Sequence, residues 1–243
     1  MAAGGLGEDG SGGMQEKVMK RMSMSNLNRQ SGQVCLNVAS STCMLEGFIN
    51  LDNHALLSLL WMPRIMRKVL SPGHRALLDS YELLIRKHTF IRHNCRKPLP
   101  YGNCTVDHIL CSHFLEHVFT NEADEIISDF RRVLKPGGTI HIILPDLFEM
   151  ARRYVDSVGE TNQLAADEFV KETLLSRQER GSFKYRFLEF LGGYGLEHKW
   201  MYDKYSITQK VTRLGLVLMD TNETPSKLFR YNDGSVHIVA SKN

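Results

Sequence analysis

The sequence predicts an α/β fold: a mostly parallel sheet of about seven strands with an antiparallel edge and helices on both faces. Three observations carry this expectation. Short apolar runs bounded by turn residues recur along the chain, and most are too apolar for a sheet with one face in water. Amphipathic helical patterns separate several of them. The last two runs are joined instead by NETPSKLFRYNDG, which has no helical period and suits an antiparallel pair.

Residues 1–30 open with six glycines in the first thirteen positions and hold too little apolar surface to offset chain entropy. They are read as a disordered tail ahead of one domain, 31–243. CLNVA (35–39) and FINLD (48–52) read as the first two strands. Eight residues, SSTCMLEG, lie between them, whereas a parallel crossover usually takes a dozen or more and includes a helix. Either this connection is compressed or one of the two strands is misassigned. LLSLLWMPRIMRKVL (56–70) is apolar with basic residues and a tryptophan, and Pro63 interrupts any long helix. It reads as a segment packed on the sheet or covering the substrate, with a membrane-surface contact as the alternative.

TFIRH (89–93) and VDHILCS (106–112) supply two more strands. The pattern NEADEIISDFRRVL (121–134) aligns Ala123, Ile126, Ile127, Phe130, Val133 and Leu134 in one helical stripe. Asn121 is placed to cap it, basic residues fill its last turn, and KPGG (135–138) is placed to stop it. GTIHIILP (138–145), LVLMDT (216–221) and SVHIVAS (235–241) read as the remaining strands, with helices at 147–158 and 206–215. A sheet of this kind binds ligands beyond the carboxyl ends of its strands, where the strand order reverses.

At 243 residues with ordinary apolar and charged fractions, the chain suits a single globular domain. It has no apolar run of about 18 residues and no signal-peptide pattern, so a cytoplasmic protein is expected. Its five cysteines are odd in number and form no C-x-x-C pair, which argues against structural zinc. The net charge of +3 is unevenly spread: Arg64 to Lys97 carries nine Lys/Arg against Asp79 and Glu82. Nucleic acid, an anionic lipid surface or a phosphorylated substrate would suit such a segment, and a solvated basic face is the plainer explanation. Nucleic acid rests on charge alone and is the least expected of these partners.

Three stretches, LNVASSTCMLEGFINLD, RKPLPYGNCTVDHILCSHFLEHV and RRVLKPGGTIHIILPD, resemble the class I S-adenosylmethionine-dependent methyltransferases. The resemblance is to the subgroup with a short first loop, a Leu-Glu-His element after the fourth strand and an Arg-Val-Leu-Lys-Pro-Gly-Gly turn before the fifth. EHKWMYD fits the same subgroup, and the likeness runs over roughly residues 34–241. It implies a Rossmann-like fold with S-adenosylmethionine as cofactor. By this resemblance Ala39, Ser40 and Ser41 pass beside the methionine part, and Asp52 accepts hydrogen bonds from the ribose hydroxyls. Asn94 stands near the adenine contact, and Ser112 and His113 line the site near the sulfonium. The family usually has glycine at the positions of Ala39 and Ser41, so a positive φ there would strain this chain.

Hydroxyl methylation needs a proton removed, and histidine titrates near neutrality. Among His113, His117 and His198 the general base is expected to be His113 or His198, against structural roles for each. His113, Glu116 and His117 do not form the H-E-x-x-H zinc pattern and no third ligand is evident, so no metal is expected. In the resembling family the aromatic-rich 183–203 region covers the acceptor. Tyr194, His198, Trp200 and Tyr202 are therefore candidate substrate contacts, with core packing as the competing role, and His117 of the Leu-Glu-His element is a further one. The expected activity is methyl transfer to a small-molecule, sugar or lipid-linked acceptor, through oxygen. The amino-methylation signature [DN]-P-P-Y is absent after the fourth strand. The alternative is a methyltransferase-like binding module that has lost its cofactor and acts through the basic 64–97 segment.

Overall fold

The sheet of the computed structural model, which describes residues 32–160, 162–176, 197–219 and 234–243, has seven strands in the order β3-β2-β1-β4-β5-β7-β6. They are β1 (Cys35–Val38), β2 (Ile49–Asp52), β3 (Phe90–Arg92), β4 (Val106–Ser112), β5 (Leu134–Pro145), β6 (Val217–Leu218) and β7 (Ser235–Ser241). β1 to β5 run parallel, and β7 inserts antiparallel between β5 and β6. This is the Rossmann-like, mostly parallel sheet with an antiparallel edge that the sequence predicts. Leu36, Val38, Leu51, Ile109, Cys111, Ile140 and Ile142 are fully buried, as apolar runs covered on both faces require. Strand order reverses between β1 and β4, so the crevice at their carboxyl ends is the position for a ligand.

Five helices are described: α1 (Pro72–Lys87), α2 (Thr120–Val133), α3 (Leu147–Gly159), α4 (Ala165–Thr173) and α5 (Lys204–Arg213). α2 buries the expected stripe of Ala123, Ile126, Ile127, Phe130 and Val133. Its cap differs from expectation. Glu122 accepts from the Phe119 N–H at 2.8 Å, and Asn121 lies inside the helix. KPGG does not form a separate stop, because α2 passes directly into β5. The four residues fall within β5, between the Val106↔Leu134 and His108↔Thr139 pairs, with Gly137 at φ +75°.

Pro63 divides the 56–70 stretch, which forms two 3-10 turns, Ala55–Leu59 and Met66–Val69, and no continuous helix. The basic segment is not wholly a solvated face. Arg67 is 5% exposed and clamps this region: it donates to the Met62 and Leu60 carbonyls and pairs with Glu82 at 2.7 Å and Asp79 at 3.1 Å. Trp61, Ile65, Met66 and Val69 point outward. Among the described residues no helix is long and apolar enough to cross a membrane.

The short link between β1 and β2 is real, and both strands stand, in parallel register from Leu36↔Ile49 to Val38↔Leu51. Two buried asparagines replace the missing crossover helix. Asn37 donates to Asn50 Oδ1 at 2.9 Å and to the Cys43 carbonyl at 2.8 Å. Asn50, fully buried, accepts from the Leu45 N–H and donates to the carbonyls of Leu45, Phe48 and Thr89. Side-chain amides thus satisfy loop groups that a helix would have satisfied internally. Substituting Asn50→Leu removes every side-chain hydrogen bond of Asn50 and should cost about 3 kcal/mol or more, read as a lowered midpoint in urea unfolding.

On the β5–β7 pair, His141 is 1% exposed and its Nε2 lies 3.1 Å from His237 Nδ1. Burial, with His237 and His108 nearby, lowers its pKa from 6.5 to about 4. A histidine depressed in the fold contributes stability above its unfolded pKa, and loses it as pH falls towards the folded value. Stability should therefore fall by about 3 kcal/mol between pH 6.5 and pH 4 from this group. The variant His141→Gln should show a correspondingly flatter pH–stability curve in that window.

Candidate active site

The chain leaves β1 through two residues in left-handed conformation, Ala39 at φ 55° and Ser41 at φ 46°. These are the positions where glycine would carry no such cost. The turn is held against β2 by Ser40 N–H to the Leu51 carbonyl at 3.0 Å and Ser41 N–H to Asp52 Oδ2 at 2.6 Å. The Ser40 hydroxyl oxygen is buried and has no hydrogen-bond partner among the described residues.

Asp52 closes β2 and is 8% exposed. Burial raises its pKa, and the N–H groups of Ser41, Asn53 and His54 hold it down in part. The Tyr81 hydroxyl, from the buried face of α1, reaches Asp52 Oδ2 at 3.5 Å and lies 3.3 Å from Ser41 Oγ. Burial, followed by the Asp52 charge, pushes Tyr81 well above the usual phenol range. Cys95 takes the Ala39 N–H on its sulfur, and burial raises its thiol to about 12. Tyr81 and Cys95 were not found from the sequence. The stripe of Leu77, Leu78, Tyr81, Leu84 and Ile85 is the helical signal that would have placed Tyr81 inside.

At the end of β4, Ser112 is half-buried and His113 is exposed, with a left-handed φ of 51° and its N–H bonded to the Ile143 carbonyl. Leu115–His117 then form a 3-10 turn that carries Glu116 into the interior, 1% exposed. His113 Nδ1 stands 3.3 Å from Glu116 Oε1. The Glu116 backbone carbonyl accepts from the N–H groups of Lys199 at 2.6 Å and Trp200 at 3.2 Å. That clasp brings the 197–203 segment against the turn, with the rings of His117 and His198 4.9 Å apart. His198 is 7% exposed, and burial lowers its pKa.

The fold therefore assembles the predicted residues into two groups. Ala39, Ser40, Ser41 and Asp52 meet at the ends of β1 and β2. His113, His117 and His198 gather around Glu116 beyond β4, and the convergence with His198 is a tertiary fact that local spacing cannot show. Asn94 lies two residues beyond Arg92, the β3 partner of Asp52, where its side-chain oxygen accepts the Arg96 N–H. Trp200, whose N–H bonds the Glu116 carbonyl, is 49% exposed. Tyr202 is 1% exposed and belongs to the main core, so its ring is a packing element and not a surface for an acceptor. Tyr194 lies outside the described residues.

Replacing Ala39 or Ser41 by glycine removes left-handed strain of about 1–2 kcal/mol and adds about 0.5–1 kcal/mol of chain entropy. Each variant should come out more stable by about 0.5–1 kcal/mol in chemical unfolding, with no change in the described strand order.

Residues 69–142, under a third of the chain, match a methyltransferase domain family. The cofactor this match implies is S-adenosylmethionine. No match is found among curated proteins. Similar solved structures include a putative methyltransferase of Haloferax volcanii in complex with the Trm112 methyltransferase activator. It is 11% identical, with 93% of this chain and 87% of that one covered and a TM-score of 0.45. A SAM-dependent methyltransferase of Methanosarcina mazei is 14% identical over 86% and 91% of the two chains, TM-score 0.44. A SAM-dependent methyltransferase of Archaeoglobus fulgidus is 13% identical over 86% of each, TM-score 0.46. Likenesses this distant add no weight, and the fold assignment rests on the strand order itself.

Proposed function

We propose that the chain is an S-adenosylmethionine-dependent methyltransferase acting on an oxygen of a small-molecule, sugar or lipid-linked acceptor. The observation that carries this reading is the left-handed Ala39–Ser41 turn bonded to Asp52 at the reversal of strand order, one strand from His113. The residues present fit the cofactor. The orphaned Ser40 hydroxyl offers a hydrogen bond at the turn, and Asp52 offers an acceptor-only carboxylate at the end of β2. The 3.5 Å contact from Tyr81 is at the outer limit of a hydrogen bond, so a ligand hydroxyl replaces it at little cost.

The bound cofactor would supply a methyl group already activated on a sulfonium. The work left to the chain is alignment, exclusion of water and handling of one proton. Asp52 would hold the ribose hydroxyls, and Ala39 to Ser41 would hold the amino-acid end. His113, exposed at the mouth of the crevice and backed by Glu116, would take the proton from the acceptor hydroxyl as the new carbon–oxygen bond forms. Trp200 would cover the acceptor.

One observation favours a second reading, a cofactor-deficient binding module: Asp52 is nearly buried and its Oδ2 is already engaged by the fold. Calorimetric titration with S-adenosylmethionine and S-adenosylhomocysteine separates the two. Micromolar binding, lost or weakened about 100-fold in Asp52→Ala, is the expected result. An acceptor turnover that falls about 100-fold in His113→Ala with binding intact would then establish the base. A folded protein that binds neither compound at millimolar concentration would leave the binding-module reading in its place.

A further inference from the structure

We propose that Glu116, His117 and His198 form a site for a divalent transition metal of the zinc class. One ligand atom from each residue lies within 4.8 Å of the other two. Two imidazoles and one carboxylate are a recurrent donor set for such ions, and three protein ligands leave a position open for water or a substrate oxygen.

The strongest support is the state of Glu116. Its side chain is 1% exposed, and neither carboxylate oxygen has an aligned hydrogen-bond donor among the described residues. His113 Nδ1, at 3.3 Å from Oε1, is within ion-pair distance but too poorly aligned for a hydrogen bond. A carboxylate removed from water without donors or a counter-charge is costly, and three imidazoles surround this one. The pocket therefore calls for a cation. The nearby Lys199 does not supply it, since its ammonium pairs with Glu197.

Both histidines carry the outer contacts that orient metal-binding imidazoles. His117 places Nδ1 3.3 Å from the Glu197 carbonyl, which leaves Nε2 with its lone pair. The His198 ring is flanked by two acceptors, the Met201 sulfur at 3.1 Å from Nδ1 and the Thr173 carbonyl, so one ring nitrogen donates and the other keeps a lone pair. Burial also lowers the His198 pKa, which favours the neutral, ligating form. Ligand atoms around a tetrahedral ion with bonds of about 2.0–2.2 Å lie closer together than 4.8 Å, so binding draws the three inward. His117, on a short turn and half-buried, has the room to make that adjustment.

The test uses the full chain stripped of metal by chelator and titrated with Zn²⁺ and, separately, Mn²⁺ in calorimetry, without S-adenosylmethionine. The expected result is a single Zn²⁺ per chain at micromolar affinity or tighter. The melting temperature should rise by about 5 °C or more at saturating metal. Glu116→Gln and His198→Gln should each weaken binding at least about 100-fold, while the exposed control His74→Gln should not. Should Glu116→Gln fail to fold, His117→Gln serves in its place. Absence of Zn²⁺ binding by the folded chain overturns the site, as does binding unchanged by these substitutions. The titration contains no cofactor, so its failure leaves the methyltransferase reading standing, and the converse also holds.

Discussion

The buried amide pair Asn37–Asn50 is the constraint on which the cofactor end of this molecule depends. A parallel sheet must carry the chain from the carboxyl end of one strand back to the amino end of the next, and a helix normally does this while satisfying its own backbone. Here ten residues, Ala39 to Phe48, make the passage, and the polar groups of so short a loop are met by two side chains instead. The arrangement is demanding, since a buried amide that loses one partner bears the full desolvation cost. It also removes slack. With the loop pinned at Cys43, Leu45 and Phe48, the turn at Ala39 to Ser41 is fixed against Leu51 and Asp52.

The two carboxylates at the carboxyl ends of the strands are treated differently by the same fold. Asp52 is desolvated but receives N–H groups from Ser41, Asn53 and His54, so its charge is stabilised by the backbone. Glu116 is desolvated more fully and receives no aligned donor. Its surroundings are imidazoles, groups able to bear a proton or share a metal. One acid is therefore solved within the fold, and the other is left to be completed by a cation. This difference is what separates a binding carboxylate from one poised for chemistry or metal ligation.

Much of the frame was legible because buried parallel strands are short apolar runs with turn residues on either side, and all seven were located to within a few residues. The antiparallel end followed from a connection without helical period. α1 was not legible, because the apolar run ahead of it, broken at Pro63, masks the stripe that begins after Ser71 and Pro72. Arg67 was counted as part of a basic face, although its guanidinium is consumed by carbonyls and acids that only the folded 60–82 region brings together. Asp52 was legible as the residue that closes β2. Tyr81 and His198 were not, since each reaches its partner across a long stretch of chain, and no spacing rule encodes such a meeting.

The backbone itself marks where these long-range meetings matter. Five non-glycine residues among those described have positive φ, and three of them, Ala39, Ser41 and His113, stand at the carboxyl ends of β1 and β4. Each stands against a group discussed above: Ser41 donates to Asp52, Ala39 to Cys95, and His113 lies at ion-pair distance from Glu116. Strain of this kind persists only where surrounding contacts over-determine it. The contacts that do so are the Ser40–Leu51, Ser41–Asp52 and His113–Ile143 hydrogen bonds, all anchored in strands whose side chains are nearly excluded from water. The sheet's stability is thus the source that holds a strained rim in place. Because the rim is strained where strand order reverses, with Asp52 and Glu116 buried beside it, the carboxyl end of β1 and β4 is the part of the fold least explained by folding alone.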